Sequence, residues 1–96
     1  MVLHTINASP SNAAFSQCLA VAAAEDAIIL MGDGVYGLIS QCPEGQALRR
    51  CPAEIYALDK DMHAAGIKHT PEEITLIDMD GFVQLSERYV RQLAWY

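Results

Sequence analysis

Apolar positions along the chain fall into short runs separated by polar or glycine-containing turns, and the runs alternate in character. Val2–Ile6 reads as a short strand. Asn7-Ala-Ser-Pro-Ser11 is a turn, rich in side chains that bond their own backbone. Ser11 or Asn12 is then the N-cap of a helix running to about Ala24. Ala14, Phe15, Cys18, Leu19 and Ala22 form its apolar face. Asp26–Met31 is apolar without alternation after its first residue, the pattern of a strand covered on both faces. Gly32-Asp33-Gly34 ends it, and Val35–Ser40 predicts a short helix. Gln41–Arg50 reads as an irregular connection or a further helical turn.

The second half repeats the alternation. Pro52–Leu58 is the third strand, with its proline at the start where a missing N–H is tolerated. Asp59 caps a helix through Ala65, and Gly66 stops it. Thr70–Glu73 is a turn and Ile74–Ile77 the fourth strand. Asp78–Gly81 opens a final helix that carries Phe82, Leu85, Tyr89 and Val90 inward, and the chain closes on Leu93-Ala-Trp-Tyr96. Strands alternating with helical segments imply right-handed crossovers and a layered sheet. The expected architecture is one α/β domain over residues 1–96, with a small, open, mostly parallel sheet of four to five strands and helices on both faces.

Composition narrows the function classes. The chain has 52% hydrophobic and 19% charged residues, which suits a packed core and excludes a disordered segment. Twelve acidic residues against six basic ones leave a net charge of −6. Phosphate backbones are bound by clustered Lys and Arg, so direct nucleic-acid binding is not expected. The longest apolar runs, Cys18–Ala24 and Ala27–Met31, fall well short of the roughly 18 residues that suggest a membrane span. The opening segment does not read as a secretory leader. Cys18, Cys42 and Cys51 form no CxxC pair, so free thiols in a reducing cytoplasm are expected.

Candidate chemistries mostly fail on spacing. Gly32, Gly34 and Gly37 match GxGxxG literally, but the following segment loses helical character by Pro43, and 96 residues leave no second half to cover a dinucleotide. A C-x5-R anion loop from Cys42 would need an arginine where Leu48 stands. His4, His63 and His69 are far apart, and Asp59, Asp61 and His63 point to different faces of their helix, so no metal and no cofactor is expected. Cys18 lies mid-helix, away from any cation or helix N-terminus, which predicts an ordinary thiol.

Several stretches, taken in order, resemble the TusB/DsrH family of sulfur-relay subunits. Met1–Pro10 is similar to that family's LHT-containing start. Cys18-Leu19 falls where many members carry a Cys-Leu pair. Ala27–Tyr36 resembles the family's "DGVY" segment, and Ile55–Asp59 with Asp61 and Ala65-Gly66 resembles its "YAL" segment. Ile77-Asp78, Phe82-Val83 and Leu93-Ala-Trp95 resemble the closing segment. Ala65 stands where an arginine is usual, and Gln41–Cys51 matches nothing in the pattern.

The resemblance implies a DsrE-like fold with flavodoxin-like layering. It implies a cytoplasmic heterohexamer with TusC/DsrF-like and TusD/DsrE-like subunits, passing persulfide sulfur toward a TusE/DsrC-like acceptor. The sulfur would serve 2-thiolation of the tRNA wobble uridine or dissimilatory sulfur oxidation. The family's principal persulfide carrier lies on the TusD/DsrE-like subunit, so this chain is expected to be non-catalytic or auxiliary. Cys18 is the candidate thiol, with an auxiliary or interface role favoured. Asp33, Tyr36 and Trp95 are the candidate partner-binding residues, with capping of the following helix as the structural alternative for Asp33. The competing function is a stand-alone α/β ligand-binding module.

Overall fold

The computed structural model describes residues 1–39 and 43–96. Its elements are β1 (Val2–Ile6), α1 (Ala13–Val21), β2 (Ala27–Leu30), a 3-10 helix (Gly32–Leu38), α2 (Pro43–Arg50), β3 (Glu54–Leu58), α3 (Asp59–Ala64), β4 (Ile74–Ile77), α4 (Met79–Arg88) and β5 (Arg91–Trp95). The strands form one sheet in the order β4-β3-β2-β1-β5, and every pairing is parallel.

That order fixes where the helices go. From β1 to β4 the chain steps along the sheet in one direction, so right-handed crossovers stack their helices on one face. The last crossover runs back from one edge to the other and places α4 on the opposite face. The packing agrees. Phe15 and Cys18 from α1, Val35 and Leu38 from the 3-10 helix, Leu48 from α2 and Met62 from α3 share a core with Ile6, Ile28, Leu30, Ile55, Ala57 and Ile74. On the other face Leu85, within α4, and Tyr89, just beyond its end, pack with Leu3, Ala27 and Ile29. All four β2 residues are buried because that strand is central and covered on both sides, as its unbroken apolar run predicted.

Local signals explain most boundaries. Asn12 is the N-cap of α1, its Oδ1 accepting the Ala14 N–H at 2.9 Å. Asp78 caps α4 by accepting the Gly81 N–H at 2.8 Å. Gly66, at φ 78, ends the α3 segment in the left-handed conformation glycine favours.

Four expectations need correction. Asp59 is the first residue of α3 rather than its cap; Leu58 holds that position without a side-chain bond. The helix expected over Val35–Ser40 begins earlier and is wound as a 3-10 helix; of the two readings offered for Gln41–Arg50, the helical one holds from Pro43 onward, as α2. Ser40, Gln41 and Cys42 lie outside the described residues. Val90 points out and is fully exposed, because α4 ends before it and the chain turns into β5. The closing Leu93–Trp95 segment is part of a fifth strand, made by pairing with β1 in the register Val2↔Arg91 through Ile6↔Trp95.

Candidate functional site

Every strand runs the same way, so the segments after β1, β2, β3 and β4 gather on one edge. In open α/β sheets the functional crevice lies there, where neighbouring connections leave for opposite faces. Here that point is between β3 and β4, since α3 covers one face and α4 the other. A crevice of about 470 Å³ occupies it, lined by Leu58, Asp59, Lys60, His63, Asp78, Met79 and Asp80. Helix N-termini attract anions, but here the chain supplies its own. Asp59 and Asp61 sit in the first turn of α3, Asp80 sits in that of α4, and Asp78 already takes the Gly81 N–H. Among the described residues no group of three His, Cys, Asp or Glu side chains is placed to hold a metal ion.

The expected partner-binding residues Asp33 and Tyr36 do come together. They line a hollow of about 180 Å³ with Gly32, Asp61, Ala64 and Ala65, between the 3-10 helix and α3. Asp33 is exposed and makes no capping bond; Met31 is the N-cap, without a side-chain contribution. The turn is instead tied by Asp61, whose Oδ2 accepts the Gly32 N–H at 2.8 Å. Capping of the turn therefore comes from a residue 29 positions away. This leaves the Asp33 carboxylate facing solvent, with Tyr36 beside it at 40% exposure.

Cys18 is not at a surface. It is fully buried in the core between α1 and the sheet. Burial, then the neighbouring Cys51 and Asp26, push its thiol up to about 12. The interface role expected for it is thereby corrected: its place on the inward face of α1 makes it core packing. Cys51 is the more accessible of the two described thiols. It lines an open hollow of about 400 Å³ between α1 and α2 with Ser16, Leu19, Ala20, Ala47, Arg50 and Pro52.

Trp95, expected to bind a partner, is used by its own fold. It is half-buried against the larger core, and its indole Nε1–H donates to His4 Nδ1 at 3.1 Å. His4 Nε2 lies 3.0 Å from Asp26 Oδ2. Asp26 also accepts the Val2 N–H and the Ala23 N–H, each at 2.9 Å. Burial alone would raise the Asp26 pKa; the Ala23 N–H, His4 and the Val2 N–H outweigh it and hold the carboxyl below its ordinary 3.8. Sequence reasoning missed this trio, whose members are separated by 22 and 91 residues. Its available signal was a histidine within the apolar β1 run, inside a family-like segment, and an aspartate just before β2.

Comparison with known proteins places this geometry. Residues 8–92 match the family described as DsrH like protein. Relatives named Protein TusB are 32% identical in Serratia proteamaculans, 33% in Escherichia coli K12 and 34% in Yersinia pestis, each over 98% of this chain and 100% of the relative. Among solved structures, protein Tm0979 from Thermotoga maritima superposes with a TM-score of 0.70 at 26% identity, over 92% of this chain and 93% of that one. The ychN protein of E. coli shares the fold, with a TM-score of 0.71 at 11% identity over 98% of this chain and 97% of that one. The chain belongs to the TusB/DsrH family of sulfur-relay subunits.

Proposed function

We propose that the chain is a non-carrying subunit of a cytoplasmic sulfur-relay heterohexamer, assembled with TusC/DsrF-like and TusD/DsrE-like subunits. The complex passes persulfide sulfur to a TusE/DsrC-like acceptor. The full-length relatives named TusB favour the branch that ends in 2-thiolation of the tRNA wobble uridine. The chain's own acidity, net −6, supports a role without direct tRNA contact. No described helix is long and apolar enough to cross a membrane.

The state of Cys18 carries this reading. Thiol–disulfide and persulfide exchange proceed by thiolate attack on sulfur. With its thiol pushed up to about 12 by burial, Cys18 stays protonated at neutral pH and offers no thiolate. It is also closed off from any partner's sulfur. What the chain offers a partner is the exposed pair Asp33 and Tyr36 beside α3, and we assign docking to that hollow. Trp95 contributes less directly, by fixing β5 to β1.

The test is sulfur loading. Incubated with a cysteine desulfurase and cysteine, the folded chain will take up little sulfur, and none on Cys18. A stoichiometric adduct of about 32 Da, one sulfur atom, that disappears in Cys18→Ala would make the chain a carrier and overturn the assignment.

A further inference from the structure

The His4 hydrogen bonds leave only one protonation state for the ring. The Trp95 indole can donate but never accept. It sits 3.1 Å from His4 Nδ1, so that nitrogen holds a lone pair. Nε2 faces the Asp26 carboxylate at 3.0 Å, an acceptor, so Nε2 holds the hydrogen. His4 is therefore the neutral Nε2–H tautomer, 2% exposed, bridging β2 and β5 across β1.

A second proton has one place to go, and it is the wrong place for Trp95. On Nδ1 it sets two N–H donors against each other. The Asp26 contact would survive and gain an opposite charge. The other charged and titratable groups around the ring each keep one charge state near neutrality. Asp26, just before β2, is held ionised by its N–H donors. Cys18 on α1, which faces Asp26, stays a thiol. From β5, Leu93 pairs with His4, and Arg91, on the same strand face one pleat below, is exposed and permanently charged.

We propose that His4 is a proton-operated latch on the C-terminal strand: neutral, it holds β5 through Trp95; protonated, it stays on Asp26 and releases the indole. β5 suits such a device. It is an edge strand with four of five residues exposed. Besides its ladder to β1, its far end is held by the Trp95 carbonyl, which accepts the Asn7 and Ala8 N–H groups at 2.9 and 3.3 Å. The latch does not depend on the relay reading.

Trp95 is the only tryptophan in the chain, so its fluorescence reports on the latch directly. The full chain is titrated from about pH 8 to about pH 5, the range in which histidine changes charge, with acrylamide quenching and far-ultraviolet circular dichroism read together. Quenching of Trp95 is expected to rise severalfold while the dichroism holds. His4→Gln, which cannot titrate, should abolish the rise. The proposal is overturned by an indole that does not respond, by a response that persists in His4→Gln, or by dichroism lost over the same range, since the whole fold then opens. Nitrogen-15 NMR on the wild type stands independently of the variant's folding. It should find the Nε2–H tautomer at the alkaline end and about fivefold lower exchange protection of β5 amides at the acid end, the factor one buried hydrogen bond is worth. Protonated Nδ1 at the alkaline end, or unchanged β5 protection, contradicts it.

Discussion

Replacing Gly34 with alanine will cost the fold about 3 kcal/mol or more. An added Cβ would lie 2.3 Å from the Ile6 carbonyl oxygen and 3.1 Å from its carbon. Both are backbone atoms, and the oxygen is already fixed by accepting the Met31 N–H at 2.9 Å. Neither side can yield without shifting the end of β1 or the turn that carries Asp33. Thermal unfolding should show it as a Tm lower by more than about 12 °C, at roughly 4–8 °C per kcal/mol for a domain of this size. Gly66→Ala is the contrast. There φ is 78 but nothing lies within 4 Å of the added carbon, so only the left-handed conformation is penalised, by about 1–2 kcal/mol. Equal losses at the two positions would mean that the close approach of turn and strand is not the cause.

Asp26→Ala should be comparably damaging, at about 3 kcal/mol. It removes the acceptor for three donors at once, and His4 Nε2–H among them is buried. The effect also has a pH signature. Asp26 titrates below its ordinary 3.8 in the folded chain. A carboxyl with a depressed folded value contributes stability that is fully present above the unfolded value and is lost as pH falls through the folded one. Denaturant unfolding should therefore show the gap between wild type and Asp26→Ala shrinking as the pH falls below about 3.8. A gap that stays constant to the acid end would show that the carboxylate charge contributes nothing.

These two sites differ in how visible they were in the sequence. The turn was legible. Gly32-Asp33-Gly34 after a continuous apolar run marks the end of a buried strand, and β1 and β4 match their apolar runs residue for residue. The chemistry of the turn was not legible, because Asp61 ties it from another helix, while Asp33, the local candidate, stays free. β5 was hidden for a similar reason. Arg91-Gln-Leu-Ala-Trp95 has no clean alternation, since four of its five residues are exposed and pairing with β1 makes it a strand. Val90 misled because a helical period continued past Tyr89 keeps it inside, whereas the backbone at Tyr89 is already extended. The core role of Cys18 could be anticipated from its place on the apolar face of α1. The His4–Asp26–Trp95 bridge could not, since only tertiary structure brings those three residues together.

Membership in a relay assembly is the central claim, and native mass tests it most directly. The chain is co-expressed with TusC/DsrF-like and TusD/DsrE-like subunits, purified through a tag on one of them, and weighed intact by native mass spectrometry. The account predicts a heterohexamer holding two copies of each subunit, with this chain present in stoichiometric amount. A chain that stays a monomer or small homo-oligomer in the presence of both partners would contradict the account and favour a stand-alone binding module.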